Sequence, residues 1–381
     1  MEEKHRGIGL PRMIQEAGEK RVFLPEFVEQ LTGLGYEVCV EEGYGSRSGF
    51  SKDTYVQGNP RVHIGSHEEC YGQEMVLVLR FPKQEEFELL RPGTCLISML
   101  HYPTRPFRLK LLQERGIRAI SLDGIVDDKN LRLVENMKAV AWNGLEAAFA
   151  MLEERFGSLR HPDDRLWQIL VLGSGMVGKH AVDASIKLGN TARYQENLAA
   201  GTGQAMVRIV GRSVSGDARL MQGLLQETDV LVDATNRRDA SKPVVPNEWI
   251  GWLPAHAVLV DLAVDPYTLG AKSPVVRGME GIPMGNLDQY IFHPDDPHWT
   301  DTVPDEIPST QRRTAVTCYS WPGIHPEACM RHYGRQLLPM MEVLAETDYD
   351  DLSLAGNYFQ RALYRATLDG YLKAISVLTD A

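Results

Sequence analysis

Apolar and polar positions along this chain follow two alternating periods. Residues Gly7 to Pro11 form a short apolar run of strand length, followed over 12–21 by a mostly polar loop that ends in Glu19-Lys20-Arg21. From Pro25 to Leu34 the apolar residues Phe27, Val28 and Leu31 fall at helical spacing, and Gly35 closes that stretch. Tyr36 to Val40 then alternates as a strand does, and Met75 to Leu79, Cys95 to Leu100 and Ala119 to Leu122 read as further buried strands. Helical stretches such as Phe107 to Arg115 fill the gaps between them. Strand and helix in this order predict a parallel sheet with helices on both faces.

Over residues 131–156 the period becomes helical throughout. Met137, Val140, Ala141, Leu145, Ala148, Phe149, Leu152 and Phe156 recur at three- and four-residue intervals and predict one long amphipathic helix, ended by Gly157, that joins two domains. A polar linker, Ser158 to Arg165, leads into the apolar run Ile169 to Leu172. That run enters Gly173-Ser174-Gly175-Met176-Val177-Gly178, and a helix follows through Gly189. A Gly-x-Gly-x-x-Gly turn between strand and helix is a dinucleotide fingerprint: the first glycine permits the tight turn, the second admits a pyrophosphate, and the third lets helix and strand pack closely. The helix N-terminus offers free N–H groups and partial positive charge to the phosphates. No such triplet occurs in the first half, which is therefore read as the other domain.

Beyond the fingerprint, residues 190–206 form a polar, glycine-containing insertion before a second strand, Val207 to Val210. A helix around Leu220 to Leu225, strands Val230 to Val232 and Ala257 to Leu262, and an irregular loop over 287–313 rich in Asp, Pro and His come next. The tail carries helical stretches at 326–346 and 357–378, with Pro339 expected to interrupt the first. The predicted fold is α/β, with two Rossmann-like doubly wound domains.

Composition narrows the function. The 381 residues are 43% hydrophobic and 24% charged, enough for two cores. A formal net charge of −11 without a basic block argues against nucleic acid. No apolar run reaches the ~20 residues of a membrane span, and Met1 to Arg6 lack the apolar core of a signal peptide, so a cytoplasmic protein is expected. Five scattered cysteines (39, 70, 95, 318, 329) point to free thiols in a reducing compartment. His63, His67 and Cys70 have helical metal spacing but no fourth ligand nearby, and no metal is expected. His293, Asp295, Asp296 and His298 read as a solvated acidic loop.

Five segments in order around the glycine turn carry a resemblance. Glu19-Lys20-Arg21-Val22-Phe23-Leu24-Pro25, Leu79-Arg80-Phe81-Pro82, Met99-Leu100-His101, Val260-Asp261-Leu262-Ala263-Val264-Asp265 and Ser320-Trp321-Pro322-Gly323 stand in sequence. The chain resembles the alanine dehydrogenase and transhydrogenase α-subunit superfamily, which also includes saccharopine dehydrogenase and carboxyethyl-ornithine synthase. The resemblance implies a dinucleotide domain, residues 138–312, inserted into a discontinuous substrate domain, residues 1–137 and 313–381, with substrate in the cleft. It implies hydride transfer between a nicotinamide and the α-carbon of an amino acid or its imine, in a homo-oligomer of two or more subunits.

The same resemblance assigns roles. Arg21 would clamp a substrate carboxylate. His101, at the end of an apolar strand, would shuttle a proton. Arg80 stands where the family generally has lysine; arginine does not give up its proton, so Arg80 would bind carboxylate or carbonyl oxygen rather than act as base. Asp265, read as ending the strand Val258 to Val264, would support His101 or bind an amino group. Asp123, which matches a family glutamate by its spacing from His101, and Trp321 are further substrate candidates, and Thr235, Asn236 and Asp261 are further cofactor candidates. Gly211-Arg212-Ser213 ends the second strand without an acidic residue, which favours NADP over NAD, because arginine suits a 2′-phosphate and a carboxylate would repel it. Opine-type condensation of an amino acid with an oxo acid is the enzymatic alternative. A nucleotide-binding redox sensor without turnover, suggested by Arg80, is the non-enzymatic one.

Overall fold

The computed structural model describes residues 6–13, 16–271 and 273–379, the side chains of 377–379 excepted. The first five residues, on which most of the leader expectation rested, and residues 14 and 15 of the polar loop lie outside it. The chain divides into two compact units: residues 1–136 with 325–381, and residues 137–324.

The first unit is built on a six-stranded sheet. Its strands are β1 (Arg6–Leu10), β2 (Tyr36–Glu41), β3 (Val62–Gly65), β4 (Met75–Arg80), β5 (Cys95–Met99) and β6 (Arg118–Ser121). They lie in the order β3-β2-β1-β4-β5-β6, and every neighbouring pair is parallel. Val38, Val76, Leu77, Leu96 and Ile120 are buried because both faces of such a sheet are covered. The strand order reverses between β1 and β4, and the crevice beyond the carboxyl ends of the strands at such a point is where doubly wound sheets bind ligands. The tail completes this unit. Helix Pro326–Glu346 packs Gly334 against the Phe27 ring, and Arg6 at the start of β1 pairs with Asp348 at 2.6 Å. Pro339 does not interrupt the helix: the buried face of Leu337, Met340 and Met341 carries it across the missing hydrogen bond. The tail stretch 357–378 is two helices, Tyr358–Ala366 and Leu368–Thr379.

The second unit holds β7 (Trp167–Leu172), β8 (Ala205–Val210), β9 (Val230–Asp233), β10 (Val258–Asp261), β11 (Ile291–Phe292) and β12 (Thr314–Thr317), in the order β11-β12-β10-β9-β7-β8. Only β11 is antiparallel to its neighbour. The pairing of β12 with β10 brings residues 313–324 into this unit. The long helix spans Met137–Phe156 rather than starting at 131, and it buries Ala141, Leu145, Ala148 and Phe149 in the core of this unit with Ile169 and Val171 of β7. Residues 131–136 instead turn back on Ile125–Asp127, with Leu133 N–H donating to the Ile125 carbonyl. The insertion at 190–206 contains a helix, Thr191–Ala199, started by the Asn190 side chain, which accepts from Ala192 and Arg193 N–H. It leaves the strand register intact, with Leu172 opposite Val210. No helix among the described residues is long and apolar enough to cross a membrane.

Candidate active site

Parallel strands bring residues far apart in sequence to one edge of a sheet. In the first unit Arg12 follows β1, Glu41 ends β2, Arg80 ends β4, His101 follows β5 and Asp123 follows β6. His101 takes φ +52° and ψ +47°, a left-handed conformation in which histidine is among the more tolerated non-glycine residues. Asp123 holds it there. One carboxylate oxygen of Asp123 accepts the His101 main-chain N–H at 3.1 Å, and the other lies 3.0 Å from His101 Nδ1. Ser121 Oγ donates to the same carboxylate at 2.8 Å. Burial opposes the charge on Asp123, but the hydrogen bonds and charge of His101 and the Ser121 hydroxyl outweigh it and hold the carboxyl well below the usual range. An ionised carboxylate only accepts, so His101 carries a proton on Nδ1, and Nε2 of the neutral ring is free to take another. The His101 side chain is 47% exposed and open to a ligand.

Arg21 and Arg80 lie in the same unit. Arg21 is buried, and Glu19, two residues away, engages its Nε, Nη2 and main-chain N–H. The Arg80 guanidinium pairs with Glu16 at 2.8 Å and remains 30% exposed. Its charge also acts on Glu19 and Tyr333, as does that of Arg21, so the two arginines share one environment. Arg108 joins this group without having been singled out from the sequence. On helix Pro106–Glu114, it donates to the Leu100 carbonyl at 3.0 Å and stacks on Phe81 at 4.5 Å. Burial, with Arg105 beside it and Arg80 nearby, draws its guanidinium down to about 10. The only signal in the sequence was an arginine in the first turn of the helix after His101.

In the second unit the glycine turn has the shape its sequence requires. Gly173 has φ +98°, and a Cβ there would come within 2.6 Å of the Ala234 carbonyl oxygen; a Cβ on Gly178 would come within 2.0 Å of the Gly173 carbonyl oxygen. Around Gly175 nothing lies within 4 Å of such a Cβ, so the space in front of it is open. Helix Met176–Ile186 starts there without a side-chain cap, which leaves its first N–H groups for an anion. Met176 and Val177 form that first turn. The adjoining cavity of about 290 Å³ is lined by Gly173, Ser174, Gly175, Gly211, Arg212, Ser215, Ala234, Thr235, Asn236, Arg237 and Val244. Arg212, exposed at the end of β8, reaches the Asn236 carbonyl at 3.4 Å. These residues fit a dinucleotide: an open phosphate cradle, then an arginine beyond the second strand.

Several of these residues stand elsewhere than expected. Ser215, not Ser213, lines the cavity, because Arg212–Ser215 winds into a helical turn. Asp261 is 1% exposed; its oxygens accept from Ala263 and Val264 N–H and from Arg277, so it is an internal support and not a cavity residue. Thr235 does line the cavity, and it is fixed by Asp233, whose Oδ1 accepts both its N–H and its hydroxyl. Trp321, expected at the substrate, is 1% exposed in the core of the second unit, with Nε1 donating to the Asp261 carbonyl at 2.8 Å. Asp265 lies beyond the end of β10 and pairs with Arg237 at 2.7 Å; the carboxylate that faces His101 is Asp123. His63 and His67 do not share a helix, since His63 lies on β3. His67 Nδ1 faces Glu41 at 2.9 Å, while Cys70 Sγ touches Cys39 Sγ at 3.1 Å.

Comparison with known proteins finds similarity in sequence and in fold. Residues 9–141 match the family model for the alanine dehydrogenase/PNT N-terminal domain. Alanine dehydrogenase of Bacillus subtilis (strain 168) is 24% identical over 313 residues, covering 80% of this chain and 81% of that protein. NAD(P) transhydrogenase subunit alpha of Haemophilus influenzae is 20% identical over 377 residues, covering 92% of this chain and 69% of that protein. Among solved structures, an L-alanine dehydrogenase superposes with a TM-score of 0.70 at 20% identity, covering 95% of this chain and 94% of the other. The transhydrogenase from Sinorhizobium meliloti superposes with a TM-score of 0.61 at 15% identity, covering 89% and 94%. Over residues 9–141 the chain is thus similar in sequence to the alanine dehydrogenase/PNT N-terminal domain, and over most of its length it shares the α/β fold of two Rossmann-like domains seen in alanine dehydrogenase and transhydrogenase.

Proposed function

We propose that this protein is a nicotinamide-dependent amino acid dehydrogenase that interconverts an amino acid and its oxo acid. The observation that carries the reading is the His101–Asp123 pair, set at the carboxyl ends of β5 and β6 beside Arg80. The alanine dehydrogenase relatives support the direction of the reading toward amino acids.

The second unit binds the cofactor in this reading, through Gly173 to Gly178, Thr235, Asn236 and Arg212. The nicotinamide, when bound, accepts or supplies the hydride. The first unit binds the substrate. Arg80, exposed beside Glu16, exchanges that partner for the substrate carboxylate or carbonyl oxygen, and Arg21, braced by Glu19, adds fixed positive charge nearby. During oxidation of the amino acid the proton released at nitrogen passes to His101 Nε2, while Asp123 stabilises the imidazolium through Nδ1. Water then converts the imine to oxo acid and ammonium. In the reductive direction His101 returns the proton. Arg80 always keeps its proton, so acid–base work rests on His101 alone.

We further infer a preference for NADP(H). Arg212 follows β8 in unbroken register, and a neighbouring cavity gathers Arg212, Arg237, Arg238 and Lys242 around Trp249, with Asp239 beside Lys242 and Arg237 paired with Asp265. A 2′-phosphate is the dianion that such a set accommodates. The test is spectrophotometric: each cofactor is offered with a panel of amino acids, and with oxo acids plus ammonium, and reduced-cofactor absorbance is followed. Turnover with amino or oxo acids supports the reading. A panel in which none reacts, and none stabilises the cofactor-bound protein by the roughly 2.7 kcal/mol expected at 100 times Kd, would remove it.

A further inference from the structure

We propose that the first unit contains a second anion subsite, formed by Arg12, Lys20, Arg21 and Arg47, that takes the distal carboxylate of a dicarboxylic amino or oxo acid. This rests on the dehydrogenase reading and adds to it the class of substrate.

These four cationic residues line one small cavity, and Glu19 is the one carboxylate residue among its described lining. Glu19 is already committed to Arg21. Arg12 is matched by Glu41, which accepts its Nε and its main-chain N–H, each at 2.7 Å. Lys20 and Arg47 are both exposed, and neither has a carboxylate partner among the described residues. Arg47 reaches only the Glu19 carbonyl oxygen, at 3.5 Å, and Ser48 Oγ donates to the Lys20 carbonyl at 2.6 Å, tying the two loops together. In a chain of net charge −11, two unmatched cations beside two matched ones reverse the local sign. An anion placed there gains charge-assisted hydrogen bonds from Lys20 and Arg47, in a local field that Arg12 and Arg21 help to make positive.

The position is informative too. Arg12 follows β1 and Arg47 follows β2, on the sheet edge where Arg80 ends β4 and His101 follows β5. The strand order β2-β1-β4-β5 puts the basic cavity on one side of Arg80 and His101 on the other. A substrate whose reacting carbon lies at Arg80 and His101 would extend its far end toward β1 and β2. A monocarboxylic substrate has no group to place there; a dicarboxylic one does.

Calorimetric titration of the full chain with 2-oxoglutarate, glutarate, pyruvate and inorganic phosphate tests this by binding, without requiring turnover. Wild type should bind 2-oxoglutarate and glutarate about 10- to 100-fold more tightly than pyruvate. Lys20→Ala and Arg47→Ala should each reduce that ratio by about tenfold, and Arg47→Lys should restore part of it. Both positions are exposed, so folding is expected to be retained. Equal affinity for pyruvate and 2-oxoglutarate, variants that weaken both ligands equally, or phosphate binding more tightly than either dicarboxylate would each overturn the subsite. Dicarboxylate binding with the expected discrimination but without cofactor oxidation would sink the dehydrogenase reading and leave the subsite standing.

Discussion

His101 and Asp123 form a closed two-point contact: the aspartate accepts both the ring Nδ1–H, at 3.0 Å, and the main-chain N–H, at 3.1 Å, of the same histidine. Backbone and ring are fixed together, so Nε2 has a defined direction and a defined protonation partner. His101→Asn should therefore lower turnover by roughly 10² to 10⁴, the usual contribution of an acid–base group, with cofactor affinity unchanged. Asp123→Asn should cost about 10²-fold or more, because an amide can donate to Nδ1 and stabilise the wrong tautomer. Steady-state rates and cofactor titration together check both. Wild-type turnover in His101→Asn would take the histidine out of the mechanism.

Cofactor choice should depend on Arg212. A charge-assisted hydrogen bond is worth roughly 1.5–3 kcal/mol. Arg212→Ala should then weaken NADPH by about 10- to 100-fold and change NADH little, since ~1.4 kcal/mol is tenfold. Fluorescence titration of both cofactors decides it. A substitution that weakens the two equally, or a wild type that binds NADH as tightly as NADPH, would show that this turn does not read the 2′-position.

Asp233 should make stability fall with rising pH. It is fully buried, and burial first, then the charge of Asp261, pushes its carboxyl up to about 7 against Thr235, which pulls the other way. The unfolded chain releases this proton near pH 4 and the native state holds it until about pH 7. Between those values the native state binds the extra proton, so this group's contribution drops by up to about 1.4 kcal/mol per pH unit and levels off above. Asp233→Asn keeps an oxygen for Thr235 and removes the titration. Denaturant melts from pH 4.5 to 8 should show a shallower slope in the variant; parallel slopes would mean that Asp233 is ionised throughout.

Trp321→Ala should act on stability and not on substrate affinity. The ring is buried, and its Nε1 ties the core to the end of β10 through the Asp261 carbonyl. Loss of a core tryptophan costs about 3–5 kcal/mol. Thermal unfolding should register that loss. An unchanged midpoint with a raised KM would restore Trp321 to the substrate.

Much of this protein was legible in its sequence, for local reasons. The Gly173–Gly178 turn needs glycine because of contacts a few residues away or with the adjacent strand, and those requirements recur wherever a strand feeds a helix this way. The α/β alternation, the helix at 326–346 and the long helix expected over 131–156, which begins only at Met137, follow from apolar periodicity. The absence of an acidic residue at the end of β8 could be read directly, and the intact register between β7 and β8 shows that the insertion did not shift it. What the sequence left open was which side chains meet. Asp265 was the candidate to support His101 and Asp123 a substrate candidate, and the placement of β6 beside β5 brings Asp123 to the histidine. Trp321 and Asp261 stand in motif positions, yet strand pairing between β10 and β12 buries them in each other's company. Cys39 and Cys70 lie 31 residues apart and touch. Arg12 and Arg47 belong to no motif, and parallel pairing of β1 with β2 gathers them with Lys20 at one cavity. Local geometry is set by neighbours in the chain and repeats between proteins. Partnership between side chains depends on the order of strands in a sheet, and for a parallel sheet that order is fixed only when the whole unit has packed.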